Sequence, residues 1–479
     1  MGNKTEDIKE NKHRRSLGVH LTSRDIFLKY IFPEIEEKLW EYIWIDLYAG
    51  EGNLILPVLS SISVEKRIEF FREHIYLFDV QPEMVQKCLI NAKNYGIPTE
   101  IAKKNIQIRN NLDNFPRFLK DTSFPLVHIT NPPYLYLGYI RKHKETQKYL
   151  ELFKNKNEGY QDLYQIAMIN DLRNDIKHLI YIIPSNFLYG ASVSNKFRFD
   201  FLKCYKIEKV IIFEIKIFEY TGTNICIGFF KRKKIPKTEN VEFKGIKIKK
   251  YNQVIEKRYM LKPEFKYRTG FEFEEFLNKY HIQKPLGINY YLLRQEVLKN
   301  NGNNEIRVID ANNYQNNEYK ILNIHINDNL KVKIQSNKLY VRTVDTGSFD
   351  GRVGLGVITE DFRVDGIYVS GNTYRTHPIQ IFFQPELKIS EQILLKDYFN
   401  FTLEVFRKKL DSEFLTTYKY SDAEYTRKYL GLTQVKKLIQ TFPYHKINSK
   451  FIQKLRDLIE KKYFDGLLDL LNASKDESN

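Results

Sequence analysis

At 479 residues the chain is too long for one ordinary core and is expected to form two or three domains. Its 42% apolar residues can fill such cores, yet no run approaches the roughly 20 uninterrupted apolar residues of a membrane span. The charged start (Lys4, Glu6, Asp7, Lys9, Glu10) has no signal-peptide core, so a cytoplasmic protein without membrane association is expected.

Three cysteines (Cys88, Cys204, Cys226) lie far apart with no CxxC, and the ten histidines show no metal-ligand spacing, which predicts neither a disulfide nor a metal. The net charge of +17 favours a polyanionic partner. AT-rich coding also inflates Lys, Ile, Asn and Tyr, so clustering weighs more than the total. Between Lys231 and Lys262, twelve Lys or Arg stand against three Glu. There Ile246-Lys247-Ile248-Lys249 reads as a strand with one basic face, or simply a solvated one.

From Leu17 to about Lys234, short β-rich runs alternate with helical ones. Ile43 to Leu47 reads as a strand, followed by a Gly turn and an apolar helix from about Asn53. His74 to Val80 is a second strand, and Pro82 suits the first turn of a helix through Asn94. Ile106 to Ile108 and Leu126 to Ile129 form a third and fourth. Tyr160 to Asn174 has helical spacing, His178 to Ile183 is a buried strand closed by Pro184, and Lys209 to Phe213 and Ile225 to Phe230 add two more. The pattern predicts an α/β, doubly wound, mostly parallel sheet with a terminal antiparallel hairpin.

After Lys234 come short strands, Asn-rich turns (Asn300 to Asn304, Asn312 to Asn317), a Gly-rich stretch from Asp345 to Gly356, and helices at Glu391 to Lys409 and Gln434 to Gln440. This predicts a mixed α+β second domain. The division is placed at residues 1–240 and 241–479, with Ala473 to Asn479 frayed.

Asn131-Pro132-Pro133-Tyr134 follows the fourth strand. Two prolines fix φ and remove two donors, so the chain must stop in a rigid turn. A turn at a strand's C-terminal end is where open α/β sheets bind ligands, and this one displays a carboxamide, carbonyl acceptors and an aromatic ring. Those groups suit a planar exocyclic amine; a plain strand-ending turn is the alternative.

Asp46-Leu47-Tyr48-Ala49-Gly50-Glu51-Gly52 adds an acid and a Gly-x-Gly turn, which lets backbone approach a ligand. Asp79, ending the second strand, is placed either to accept ribose hydroxyls or to cap the next helix. It follows Asp46 by 33 residues, more than the roughly 20 of the dinucleotide fingerprint.

A Gly turn after the first strand, an acid after the second and Asn-Pro-Pro-Tyr after the fourth, with no phosphate-binding Lys-Ser/Thr, resemble the gamma class of N6-adenine DNA methyltransferases of restriction-modification systems, the TaqI-like group. The resemblance covers residue 17 to about 232. It implies a Rossmann-like S-adenosylmethionine-dependent methyltransferase domain followed by a target-recognition domain.

Gly18 to Ser23 looks like the family's N-terminal cofactor segment, with Thr22 at the methionine end. Asp46, Ala49 and Gly50 match its first motif and Asp79 its ribose-binding acid. Where the family has an Asp after the third strand to accept the cofactor's adenine amine, this chain offers Asn110. Asp162-Leu163-Tyr164 and Ile182 to Ser185 resemble the elements after the catalytic loop, and Phe218 the aromatic facing the target base.

The implied chemistry places Asn131 and the Pro132 carbonyl on the two amine protons, with Pro133 keeping the turn rigid. Tyr134 and Phe218 hold the flipped base by stacking, worth about 1 to 3 kcal/mol per base. Arg342, Asp345, Arg352, Arg363, Asn372 and Arg375 lie in turn-rich sequence from which Arg and Asn reach base edges.

Double-stranded DNA is the expected partner, the chain is expected to be a monomer, and a separate cognate restriction endonuclease is a further expectation. A fused nuclease is not expected, since only about 17 residues precede the cofactor segment and no Pro-Asp…Glu-x-Lys cluster follows it. RNA base, N4-cytosine or protein-glutamine methylation, and a non-enzymatic DNA-binding specificity protein, stay open as alternatives.

Overall fold

The computed structural model describes residues 22–190, 193–218, 224–345, 351–371, 377–419 and 426–476. The chain divides into two compact units, Met1–Thr269 and Gly270–Asn479.

The first unit is built on β1 (Ile43–Asp46), β2 (Ile75–Asp79), β3 (Ile106–Ile108), β4 (Leu126–Thr130), β5 (His178–Pro184), β6 (Tyr205–Phe213), β7 (Ile225–Arg232), β8 (Val241–Ile248) and β9 (Val254–Leu261). Their order is β3-β2-β1-β4-β5-β7-β6-β8-β9. Strands β1 to β5 pair in parallel, and β7 inserts antiparallel between β5 and β6.

Every residue of β1 and β4 is buried, as central strands covered on both faces must be. Alternation sends Ile43 and Ile45 into one core, shared with the helices Leu163–Arg173 and Asn195–Cys204. It sends Trp44 into the other, shared with the helices Arg67–His74 and Pro82–Asn94. The chain winds outward from β1 to β3 and then back past β1 to β4, so a crevice opens at the C-terminal ends of β1 and β4.

Four details differ from the sequence reading. The helix expected from Asn53 is instead a 3₁₀ segment, Leu56–Ser61, with Pro57 near its start lacking the donor of a continuing α-helix. The division at residue 240 moves to 269. Strand β8 pairs in parallel with β6, and β9 pairs with β8, so residues that looked like the start of a second domain close the first sheet.

The register of β8 turns Lys247 inward. It is 1% exposed, 3.9 Å from Glu214, and lies over the Tyr189 ring, so Ile246 to Lys249 presents no uniform basic face. Finally, of the terminal segment read as frayed, residues 473–476 belong to a helix, Phe464–Asp476, and residues 477–479 lie outside the described residues.

The second unit holds two four-stranded sheets. One runs β10 (Gly287–Tyr290), β17 (Ile379–Gln384), β14 (Leu339–Arg342), β15 (Gly354–Val357). The other runs β11 (Leu292–Leu293), β16 (Gly366–Val369), β12 (Asn304–Gln315), β13 (Glu318–Ile326). The helices Ile389–Leu410 and Leu432–Ile439 contribute to the core around the first sheet. Asn316 and Asn317, at φ 50 and 65, form the tight turn between β12 and β13, where Asn tolerates left-handed backbone. The unit is mixed α+β, as the sequence predicts.

The segment after β5 is fixed by a fully buried cation. Arg198 donates to the carbonyls of Lys266 (2.8 Å), Phe187 (2.9 Å) and Gly190 (3.0 Å) and to Asn195 Oδ1 (2.6 Å). Arg198→Met keeps much of the apolar stem but leaves these acceptors unpaired. Urea unfolding of the first unit is expected to show a loss of about 3 kcal/mol or more.

Candidate functional site

The segment leaving β1 is held almost atom by atom. Leu47 N–H donates to His128 Nε2 (3.1 Å), Tyr48 N–H to Asp46 Oδ1 (2.9 Å), Ala49 N–H to the Phe78 carbonyl (2.8 Å) and Gly50 N–H to Asp79 Oδ2 (2.8 Å). Asn111 Nδ2 donates to the Leu47 carbonyl (2.7 Å). Gly52 closes the turn at φ +81, and a Cβ there would lie 2.6 Å from Leu56 Cδ1 and 2.8 Å from Cys88 Sγ. That position requires glycine on both counts.

Of these residues, Asp46, Tyr48, Ala49, Gly50, Asp79 and Asn111 line a cavity of about 920 Å³ at the C-terminal edge of the sheet. Thr22, Asp46, Ala49, Gly50, Asp79, Asn110 and Asn131, the full set expected to bind a cofactor, all line it. Asp79 accepts from Gly50 and, through Oδ1, from Gln81 N–H (2.9 Å), while burial raises its pKa. Asp46 is 1% exposed and takes a further hydrogen bond from Thr130 Oγ1 (2.5 Å).

Asn110 is exposed and its Nδ2 donates to Asp113 (2.7 Å), which leaves its Oδ1 as the acceptor. Its neighbour Asn111, which the sequence reading passed over, also lines the cavity. Asn111 Oδ1 is buried with no hydrogen-bond partner among the described residues. An orphaned acceptor there fits a ligand that brings an amine.

The catalytic-loop residues divide into two groups. Asn131 and Pro133 line the cavity; Pro132, Tyr134 and Phe218 do not. Asn131 Nδ2 donates to Thr22 Oγ1 (2.9 Å), which orients Oδ1 as an acceptor, and the Tyr134 hydroxyl bonds to it. That hydroxyl is also 2.6 Å from the Ile182 carbonyl. The Tyr134 ring is half-buried and edge-on to Tyr164, 6.4 Å between centroids.

Leu135, the next residue, donates its N–H to Asp162 Oδ1 (2.9 Å), and burial raises Asp162 to about 7. Thus Asp162 anchors the loop's exit. Phe218 is 5% exposed and belongs to the core on the Trp44 side of the sheet, not to the cavity wall.

In the second unit, Arg352 Nη1 is 3.2 Å from Glu404, an internal ion pair. Asp345 Oδ1 accepts from Val353 N–H (2.7 Å). Arg342 is partly exposed, with Nε 3.4 Å from His377 Nδ1, and Arg363 has a φ of 55. Asn372 and Arg375 lie outside the described residues. Among the described residues, no helix is long and apolar enough to cross a membrane, and no group of three His, Cys, Asp or Glu is placed to hold a metal.

Residues 19–218 match the family described as Eco57I restriction-modification methylase. No curated protein matches the chain. Among solved structures, the Type IIL restriction-modification enzyme MmeI in complex with DNA is similar, with TM-score 0.51 and 12% identity, over 97% of this chain and 76% of that one.

A DrdV–DNA complex is similar at TM-score 0.38 and 10% identity over 53% of this chain, which spans 31% of the DrdV chain. A protein described as a class I S-adenosylmethionine-dependent methyltransferase from Listeria monocytogenes gives 0.34 and 18%, over 47% of this chain and 66% of that one. At such identities the likeness is one of fold.

The first unit has the α/β sheet order of S-adenosylmethionine-dependent methyltransferases, and the match of residues 19–218 to a methylase family implies S-adenosylmethionine as the cofactor. The residues present fit it: two acids, a Gly turn and Asn111, whose buried Oδ1 has no partner among the described residues, line the cavity.

Burial raises Asp46 from the ordinary 3.8 to about 7, with the hydrogen bonds from Thr130 and the Tyr48 amide pulling the other way. Its ionised form attracts a sulfonium cation, so cofactor affinity is expected to climb by up to about tenfold between about pH 6 and pH 8. The protonation of Asp46 contributes stability that is fully present below about 4 and lost as pH rises through about 7. Calorimetric titration across this range checks the slope, which Asp46→Asn should flatten.

Proposed function

We propose that the chain is a site-specific DNA methyltransferase acting on N6 of an adenine flipped out of duplex DNA, within a restriction-modification system. The observation that carries this reading is the Asn131 carboxamide, fixed by Thr22 so that Oδ1 serves as an acceptor beside the cofactor cavity.

An adenine amine is a poor nucleophile because its lone pair is delocalised into the ring. Asn131 Oδ1 accepts one amine proton and the Pro132 carbonyl the other, which localises the lone pair on nitrogen. S-adenosylmethionine, when bound, would supply an electrophilic methyl carbon to that lone pair, while Asn131 Oδ1 and the Pro132 carbonyl hold the two amine protons.

The Tyr134 hydroxyl has one hydrogen and two acceptors in reach, Asn131 Oδ1 and the Ile182 carbonyl. It keeps the second when the amine takes the first. In this reading Tyr134 and Phe218 hold the base, and Phe218 has to leave its core position to do so.

Duplex DNA as substrate is supported by the +17 charge and by the match to a restriction-modification methylase family. The first unit is then the catalytic domain and the second the target-recognition domain, where Arg342, Arg352 and Arg375 are proposed to meet DNA. Arg352 would first exchange Glu404 for a phosphate or base. We further propose a cytoplasmic, monomeric enzyme working beside a separate endonuclease.

The test is methyl transfer from labelled cofactor to duplex DNA, followed by nucleoside analysis. N6-methyladenine is expected; label in N4-methylcytosine, RNA or protein would overturn the adenine assignment. Asn131→Ala is expected to lower transfer by about 10²–10³-fold while cofactor binding persists. Turnover like that of the wild type in this variant would sink the role of Asn131.

A further inference from the structure

A second group of polar side chains lies beneath the cofactor segment. His128, three residues before Asn131, is fully buried and accepts the Leu47 N–H through Nε2 (3.1 Å). A ring nitrogen that accepts carries no proton, so the neutral ring is protonated at Nδ1 and donates to Asp171 Oδ2 (2.6 Å). The Tyr181 hydroxyl donates to the same oxygen (2.5 Å). Asp171 is 1% exposed, and its Oδ1 has no hydrogen-bond partner among the described residues.

The chain Tyr181–Asp171–His128–Leu47 therefore runs from β5 and the helix Leu163–Arg173, through β4, to the first amide of the cofactor segment. A histidine that served only to fill the core would need no oriented acceptor. Here the direction of each hydrogen bond is set by the next, and the last falls between Asp46 and Tyr48, both on the cavity wall. The His128 and Tyr48 rings lie 6.2 Å apart.

We propose that His128 is a positioning residue for S-adenosylmethionine, held in its Nδ1-protonated tautomer by Asp171 and Tyr181 so that Nε2 fixes the Leu47 amide and the segment from Asp46 to Gly50. The network sets the binding geometry of the cofactor without touching the reacting atoms. The inference rests on the cofactor assignment of the cavity and does not depend on which base is methylated.

Two readouts on the full chain test it: hydrogen exchange of the Asp46 to Gly50 peptide without cofactor, and the equilibrium Kd for S-adenosylmethionine. His128→Phe removes the acceptor; faster exchange in that peptide and affinity lower by about tenfold are expected. His128→Gln can accept from Leu47 through Oε1 and donate to Asp171 through Nε2, so it should restore both towards wild type. Tyr181→Phe takes away one donor and should show the same two changes more weakly, which covers the case in which His128→Phe fails to fold.

Exchange and affinity like those of the wild type in His128→Phe, or equal losses in the Gln and Phe variants, overturn the proposal. A wild-type chain that binds no S-adenosylmethionine while the exchange effect persists overturns its cofactor half and would count against the cavity assignment itself.

Discussion

Four consecutive backbone amides, Leu47 to Gly50, have their hydrogen bonds closed by groups of the protein itself. The acceptors come from β4 (His128), from β2 (the Phe78 carbonyl and Asp79) and from Asp46 at the end of β1. The shape of the segment is therefore a consequence of how three strands stand in register. Trp44 to Asp46 pair with Ile75 to Leu77 on one side, and Ile43 to Ile45 with Leu126 to His128 on the other. A slip of one residue would turn His128 and Asp46 away from their partners and leave buried amides unpaired, at about 1 to 3 kcal/mol each. Packing of the two cores enforces the register, and the register builds the site. Binding groups held in advance need no reordering when a ligand arrives.

The end of β4 obeys the same logic with fewer parts. Pro132 and Pro133 cannot donate, so the turn has little use for neighbours' carbonyls and must be fixed from its flanks. Thr22 takes the amide nitrogen of Asn131 on one side, and Asp162 takes the Leu135 N–H on the other. Between them the Tyr134 hydroxyl spans Asn131 and Ile182, tying β4 to β5 beyond the last ladder pair, Thr130 with Tyr181. The rigidity comes from three side chains as much as from the prolines.

What could be read from sequence follows from how local each signal is. Strands β1 to β5, the Gly turn, Asp79 and Asn131 are each announced within a few residues, by apolar runs, glycine or proline. The seven residues assigned to the cofactor consequently all lie on one cavity.

The partners of Leu47 were not legible. His128 is 81 residues from it and Asn111 is 64, and an isolated His in the run Leu126 to Ile129 looks like any strand residue until its neighbour is known. Lys247 fails for a related reason. Alternation identifies two faces of a strand but not which of them another element covers. The domain boundary moved because the charged stretch from Lys231 to Lys262 resembles a linker in composition, while its backbone completes the sheet.

That stretch also bears on how net charge should be used. Of its twelve cations, Arg232, Lys233, Lys237, Lys244 and Lys247 sit within 4 Å of a carboxylate, on Asp175, Glu239, Glu239, Glu256 and Glu214. Pairs between exposed side chains, such as Lys244 with Glu256, are worth about 0 to 1 kcal/mol, so a phosphate can displace the acid at little cost. Lys247 differs, because at 1% exposure it cannot leave its partner without leaving a charge buried. Formal charge thus sorts into cations that a polyanion can recruit and cations that the fold has already used. Only the first kind releases counterions and contributes to the salt dependence of DNA binding, so that dependence measures the recruitable part of the +17 and not the total.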